Sequence, residues 1–473
     1  MAYLLFLLAN AALFVRPAEL SPALSGVQLY LYLIAAAILF SVRGIHNQLS
    51  LKTMVQQPIN LCVVGLIVAV AASHLSRGQI GPAALGLLMM VKVVLYYAVL
   101  VSVINTPERL KTFLRCTALC ATAMVAFSLQ DYFGFVQEWS GRDDIREIKT
   151  RERWLPEGEP RLLRHIPEVD GVDSEGNEIF IFRLCGLGIF HDPNDLSLLI
   201  AVTTIISGYF LLDRRSGMIR LAWLAPIALM GAAYYFTFSR GGLLAFGVGG
   251  MIWLAVRYGG KVAIGLGALA GAALPVALGR HADISLSGGT GQHRIQVWSD
   301  GLVQLKSFRI AFGIGEGLYA DVAGLVAHNS YIHAFVELGF FGGALFFGCF
   351  FFPVYAIFRI KKDKFPIEHP ELERMLPYIA AILAAWCMGM ASLSRCYVPP
   401  TYMIVGACAA YLNLVGFHRP YPAPLQTFQL PTEARWIPPN TRTDAIQNDA
   451  DQPAEHFRCH SCLQRRTVHR ASD

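Results

Sequence analysis

About a dozen apolar runs, each on the scale of roughly 17–25 residues that lets a helix cross the hydrocarbon core of a bilayer, divide this chain. They centre near residues 9, 35, 66, 93, 123, 204, 228, 249, 270, 345, 385 and 408 of 473. Composition agrees with that pattern. Hydrophobic residues make up 55% and charged residues 15%, against about 25% charged in soluble domains, which must cover their surface. The expected fold is an all-α polytopic membrane protein with about 12 transmembrane helices. A net charge of +6 calls for no nucleic-acid partner, because Lys and Arg in such a chain report topology.

The short loops fix an orientation. Arg109, Lys111 and Arg115 share one loop, Arg214, Arg215 and Arg220 a second, Arg257 and Lys261 a third, and Arg359, Lys361, Lys362 and Lys364 a fourth. With twelve spans all four fall on one side, while the opposite short loops carry the single charges Arg16, Arg77, Arg240 and Arg395. The positive-inside rule then places both termini in the cytoplasm. The expected organisation is helices 1–5 over residues 1–134, a first long periplasmic loop over 135–194 and helices 6–9 over 195–279. A second periplasmic loop over 280–329, partly helical and covering the active site, is followed by helices 10–12 over 330–417 and a disordered cytoplasmic tail over 418–473.

Ten cysteines do not make a disulfide framework, since Cys62, Cys116, Cys120, Cys349, Cys387 and Cys408 lie inside apolar runs. Residues 1–15 lack a basic leading region and read as a first span instead of a cleaved signal. In the tail, Cys459 and Cys462 form an isolated C-x2-C with His456 and His469 nearby, too little to name a zinc site; no metal and no cofactor is expected.

Five polar blocks gather at the outer boundary: FRLCGLGIFHDPNDLS (182–197), YFTFSRGGLLAF (235–246), HRIQVWSDGL (293–302), AFGIGEGLYA (311–320) and AHNSYIHAFVELGFFG (327–342). They supply Arg183, Arg240, Arg294 and His328. Outward arginines oppose the usual charge bias. Several guanidinium forks suit a diphosphate, and a histidine titrating near neutrality suits proton transfer. Those residue types describe a hydroxyl attacking a sugar activated by pyrophosphate.

The same blocks, in the same order, resemble the O-antigen ligase and O-antigen polymerase superfamily of bacterial membrane glycosyltransferases. An R-x3-L signature is matched by Arg183 to Leu187 and an H-x10-G signature by His328 to Gly339. The resemblance covers about residues 180–345 and reaches the early spans only through hydropathy. It implies a multi-pass protein of the bacterial inner membrane with its active site facing the periplasm. Without metal or nucleotide sugar, a glycan would move from undecaprenyl pyrophosphate to an acceptor hydroxyl, a lipid A core sugar in a ligase. An O-antigen or exopolysaccharide polymerase, or a protein O-oligosaccharyltransferase, uses the same chemistry. The resemblance assigns His328 and Arg294 to catalysis and Arg183, Arg240 and Arg294 to the diphosphate.

Structural readings stand beside the functional ones. Asn329 or Ser330 can cap a helix; Arg240 can be a snorkelling interfacial cation; Asp192, Asn194 and Asp195 suit a helix start around Pro193. His333 and Glu337 share a helix face with Ser330, and Glu337 is costly so near lipid unless paired. The pair is either functional or a device that fixes the helix. Gly313, Gly315 and Gly317 follow no strand of a βαβ unit, so they read as a tight turn for close backbone approach, to a lipid-linked phosphate for example. Gly339, eleven residues after His328, lies about 20° from eclipsed with it if both are on one helix, leaving room for another helix or a lipid tail. Arg395 has no reading beyond interface anchoring. A polysaccharide transporter or flippase is the rival of a different class, disfavoured because the charges cluster at one face and not mid-span.

Overall fold

A computed structural model describes residues 1–20, 24, 26–139, 165–172, 178–278, 290–306 and 309–417. The charge-dense segment around Arg142–Arg153 and the tail with Cys459 and Cys462 fall outside these residues. The described chain is overwhelmingly helical: α1 (Ala2–Val15), α2 (Leu29–Gln48), α3 (Pro58–Leu75), α4 (Ile80–Val103), α5 (Pro107–Trp139), α6 (Pro193–Leu211), α7 (Leu224–Thr237), α8 (Arg240–Tyr258), α9 (Gly260–Leu278), α10 (Thr290–Val303), α11 (Ser330–Lys362), α12 (Pro370–Met390) and α13 (Pro399–Val415). Nine helices among the described residues are long and apolar enough to cross a membrane, which makes this a multi-pass membrane protein. The other three expected centres also fall on helices: α1, α9 and α13.

The helix starts follow from the sequence. Pro occupies the first turn of α3, α6, α12 and α13, where its missing N–H costs nothing. Asp192 caps α6 by accepting the Asn194 N–H at 2.7 Å, and Ser239 caps α8 by accepting the Gly242 N–H at 3.2 Å. The Asp192 turn is the structural reading of that acidic cluster. In the core, α3 and α4 pack together, α11 packs along α3, and α8 lies against α12 and α6. Interior polar groups are paired as a low-dielectric interior requires: Tyr96 donates to Asn10 and Tyr97 to Asn60, each at 2.6 Å.

The all-α membrane architecture stands, and two local readings are corrected. One antiparallel pair, β1 (His165–Val172) and β2 (Glu178–Leu184), joins the helices between α5 and α6. The segment EIFIFRL is rich in β-branched and aromatic residues, which favour a pleated strand, and the Phe182 carbonyl accepts the Tyr132 hydroxyl of α5 at 3.0 Å. His328 is not on a helix shared with Gly339. α11 begins at Ser330, and Asn329 caps it by accepting the N–H groups of Tyr331 (3.0 Å) and Ile332 (3.2 Å). His328 itself sits in the left-handed region, φ +47°.

The second correction concerns the space at Gly339, which neither a helix nor a lipid tail fills. α11 is broken there (φ 64°, ψ −168°), and the freed backbone is met by the glycine loop. The Ile314 N–H donates to the Val336 carbonyl and the Gly315 N–H to the Glu337 carbonyl, both at 3.0 Å. A Cβ on Gly339 would stand 2.5 Å from the backbone of Ala311 and Gly313. Glycines are required on the helix side and the loop side alike, since two backbones touch.

Candidate functional site

One end of the bundle gathers the polar blocks through three anchors. The first is β2. Arg183 donates from Nε to the Thr237 carbonyl at 2.9 Å and from Nη2 to Asn194 Oδ1 at 3.1 Å. Asn194 Oδ1 also receives the Ser239 hydroxyl at 2.9 Å, and Ser197 donates to Ser239 at 2.8 Å. Arg183 therefore ties the starts of α6 and α8 to the end of α7.

Arg240, the first residue of α8, is exposed and has no ionic or hydrogen-bonding partner among the described residues. It stands at a groove of about 220 Å³ walled by Tyr234, Tyr235, Phe238 and Leu243. A cation above aromatic and aliphatic walls at a membrane boundary fits an amphiphile with an anionic head.

The second anchor is α10. Trp298 Nε1 donates to the Ala327 carbonyl at 2.6 Å, pinning the residue before His328. Arg294 precedes Trp298 by one helical turn and so shares its face. Its guanidinium is half-buried and unpaired among the described residues. A small apolar cluster of Val297, Ile314, Tyr319, Ala327 and Val336 holds this cover onto α11. Among its described residues the segment 290–327 is thus partly helical and lies over the start of α11.

The third anchor was not visible as a site residue in the sequence. Arg395, in the turn between α12 and α13, forms a two-pronged pair with Asp195 of α6: Nε lies 2.7 Å from Oδ1 and Nη2 bonds Oδ2. Its backbone N–H donates to the Ser330 hydroxyl at 2.9 Å, which passes a bond of 2.5 Å to the Leu393 carbonyl. The only signal in the chain was the expectation of another outward-facing cation at Arg395, and its partner lies 200 residues away.

His328 lies among these anchors. Its imidazole is half-buried, and burial pushes its pKa below the ordinary histidine value; the Arg294 and Arg395 charges push the same way, while Asp192 opposes them. The neutral ring, able to accept a proton, is therefore the favoured form near neutral pH. A non-glycine residue held at positive φ is unusual, although His tolerates it better than most, and His328 turns the chain immediately before the Asn329 cap of α11.

Beneath it, Glu337 is fully buried and triply satisfied. Oε1 lies 2.9 Å from His333 Nε2 and accepts the Tyr319 N–H at 3.0 Å, and Oε2 accepts the Tyr397 hydroxyl at 2.9 Å. This carboxylate joins α11 to the cover loop and to the α12–α13 turn. The pair read from the sequence forms, and its bonds are those of a scaffold: a buried carboxylate is tolerable only when fully paired. Gly313 and Gly315 belong to the same scaffold, as their loop grips α11. The Ile314 carbonyl further accepts Arg77 at the end of α3, and Glu316 lies 3.9 Å from His74. The N–H groups of Ile314 and Gly315 are committed to α11 and are not free for a phosphate.

The structure thus joins His328, Arg294, Arg395–Asp195 and, through the start of α6, Asn194 and Arg183 in one polar belt. Arg240 adjoins this belt three residues past Thr237, whose carbonyl Arg183 holds. Residues 225–347 match a protein-family model described as O-Antigen ligase. No curated protein matches the chain. The matched segment contains Arg240, Arg294, His328, Glu337 and Gly339, with Arg183 and Arg395 outside it.

Proposed function

We propose that this protein, a member of the O-antigen ligase-like superfamily, transfers a glycan from undecaprenyl pyrophosphate to a hydroxyl of lipid A core sugar at the periplasmic face of the inner membrane. The observation that carries this reading is the half-buried His328, biased to its neutral form, beside the unpaired guanidinium of Arg294. The resemblance supplies the donor and acceptor, and the geometry supplies a way to use them.

In this reading the isoprenoid lies along the aromatic groove below Arg240, which places the diphosphate at the membrane surface within reach of Arg240 and Arg294. The acceptor oxygen attacks the anomeric carbon while its proton passes to His328. The bond between that carbon and the diphosphate oxygen breaks, and undecaprenyl pyrophosphate departs with the electron pair. Negative charge grows on the leaving oxygen as the bond breaks, so fixed cations aimed at it lower the barrier more than they stabilise the bound donor. Arg183, with Nε and Nη2 committed to protein partners, contributes its charge and the placement of Arg240. Asn329 fixes the His328 corner, and Glu337 with His333 holds the cover in register.

A pH profile tests the role of His328. As a base it works only when neutral, so transfer rises with pH along an acid limb set by its pKa and then levels off. That limb is expected below the ordinary histidine value. Arg294→Gln removes a charge that disfavours the imidazolium, so His328 should bind its proton more tightly and the limb of the residual activity should move to higher pH. An unmoved or oppositely moved limb would rule His328 out as the base.

A further inference from the structure

At the end of the bundle opposite His328, the ends of α6 and α8 and the start of α12 enclose a cleft of about 470 Å³. Its inner wall is an ion cage. Lys111 lies 3.1 Å from Asp213 and 2.7 Å from Glu371; Arg374 lies 2.5 Å from Asp213 and 2.8 Å from Glu371. The Tyr209 hydroxyl also bonds Glu371. Two carboxylates are therefore already met by two cations. Arg214, Arg215 and Arg257 line the same cleft in excess of that balance. Arg215 makes only a long contact with Glu371, 3.4 Å, and its side chain is 67% exposed. Arg214 and Arg257 have no acidic partner among the described residues, and Arg257 lies 6.0 Å from the Tyr258 ring centroid.

The remaining walls are aromatic: Trp253 and Tyr378 stand with centroids 5.8 Å apart, and Trp253 and Tyr258 5.7 Å apart. Loop cations that only set topology need no enclosed cleft and no rings around them. Three unbalanced guanidinium groups over a neutralised floor select an anion, and guanidinium forks match phosphate oxygens best. Rings at the membrane–water boundary suit the glycerol or acyl shoulder of a lipid. The volume lies within the range of small-molecule sites.

We infer that this cleft binds a phosphate-bearing anion, the headgroup of an anionic lipid or a soluble phosphate ester, at the membrane face opposite the transfer site. This binding is independent of the glycan reaction, and nothing in it rests on the proposed chemistry of His328.

The test uses the full chain purified into nanodiscs of phosphatidylcholine with a minor fraction of phosphatidylglycerol, and counts the lipid that stays with the protein by native mass spectrometry. Wild type should retain phosphatidylglycerol over phosphatidylcholine. The double variant Arg214→Gln/Arg257→Gln, which leaves the ion cage intact, should retain about tenfold less or lower, and Arg214→Lys/Arg257→Lys should keep most of the preference. Millimolar inorganic phosphate that displaces the lipid from wild type, or raises the melting temperature in pure phosphatidylcholine only when both arginines are present, assigns the site to soluble phosphate esters as well. Equal retention by wild type and the glutamine variant overturns the inference. If that variant does not fold, wild type decides alone: no preference for phosphatidylglycerol and no response to phosphate also overturn it.

Discussion

Arg294→Ala is expected to slow glycan transfer by roughly 10²–10³, the usual cost of deleting one preorganised group that stabilises transition-state charge. His328→Ala should cost roughly 10²–10⁴, the range of a general base. Both variants should fold and insert normally. Neither side chain has a hydrogen-bonding or ionic partner among the described residues, and α10 is held by other contacts. Those are the Trp298 bond to the Ala327 carbonyl at 2.6 Å and the Tyr319 hydroxyl bond to the Val297 carbonyl at 3.0 Å. If His328 takes the proton while Arg294 stabilises the leaving group, the two act in one transition state. The double variant should then fall well short of the product of the single losses. Initial transfer rates in proteoliposomes, normalised to folded protein, check this; near-wild-type rates for both variants would remove the site.

Gly339→Ala should be among the most damaging single-methyl changes at the described residues. Its backbone, φ 64° and ψ −168°, lies in a region that only glycine visits at low cost, which alone amounts to about 1–3 kcal/mol. The added Cβ would also stand 2.5 Å from the Ala311 carbonyl and from the Gly313 nitrogen. Backbone cannot swing aside as a side-chain tip can, so the loop must lift from α11. Lifting it strips the Val336 and Glu337 carbonyls of their donors, and the Glu337 carboxylate loses the Tyr319 N–H and keeps only His333 and Tyr397. A buried carboxylate losing a partner is among the costly events in a protein interior. The variant is expected to lose transfer, to melt earlier, and to expose residues 290–327 to protease. Gly250→Ala is the control: nothing lies within 4 Å of its added Cβ, so it should behave as wild type. A Gly339→Ala protein with normal melting and normal transfer would contradict the broken-helix clasp.

Much of this was legible in the chain because the relevant signals are local. Apolar runs mark helices whatever their tertiary partners, and all twelve expected centres fall on helices. His328, Asn329 and the His333–Glu337 spacing could be read within a single segment. What escaped was non-local or ambiguous in type. Arg395 looked like any interfacial cation, because its meaning comes from Asp195, far away in sequence and on another helix. Glycine is common in membrane helices, so Gly339 gave no sign that it breaks one. Its counterpart Gly313 was legible as a point of close approach, but the approaching partner was α11 itself. The two strands were hidden in a loop whose charge masked a short β-prone segment. The arginines of the opposite cleft were read as topology, and only the fold shows that they surround a cavity.

Bond exchange, and not transport, is what we propose for the polar belt around His328. The most direct measurement reconstitutes the purified chain with a radiolabelled undecaprenyl-pyrophosphate glycan and a lipid A core acceptor, and follows both products over time. Free undecaprenyl pyrophosphate should appear in step with label on the acceptor, one for one, and Arg294→Ala should suppress both together. Label joining only to another glycan chain would keep the chemistry and change the acceptor. An intact donor that merely crosses the bilayer, with no pyrophosphate released, would contradict the account.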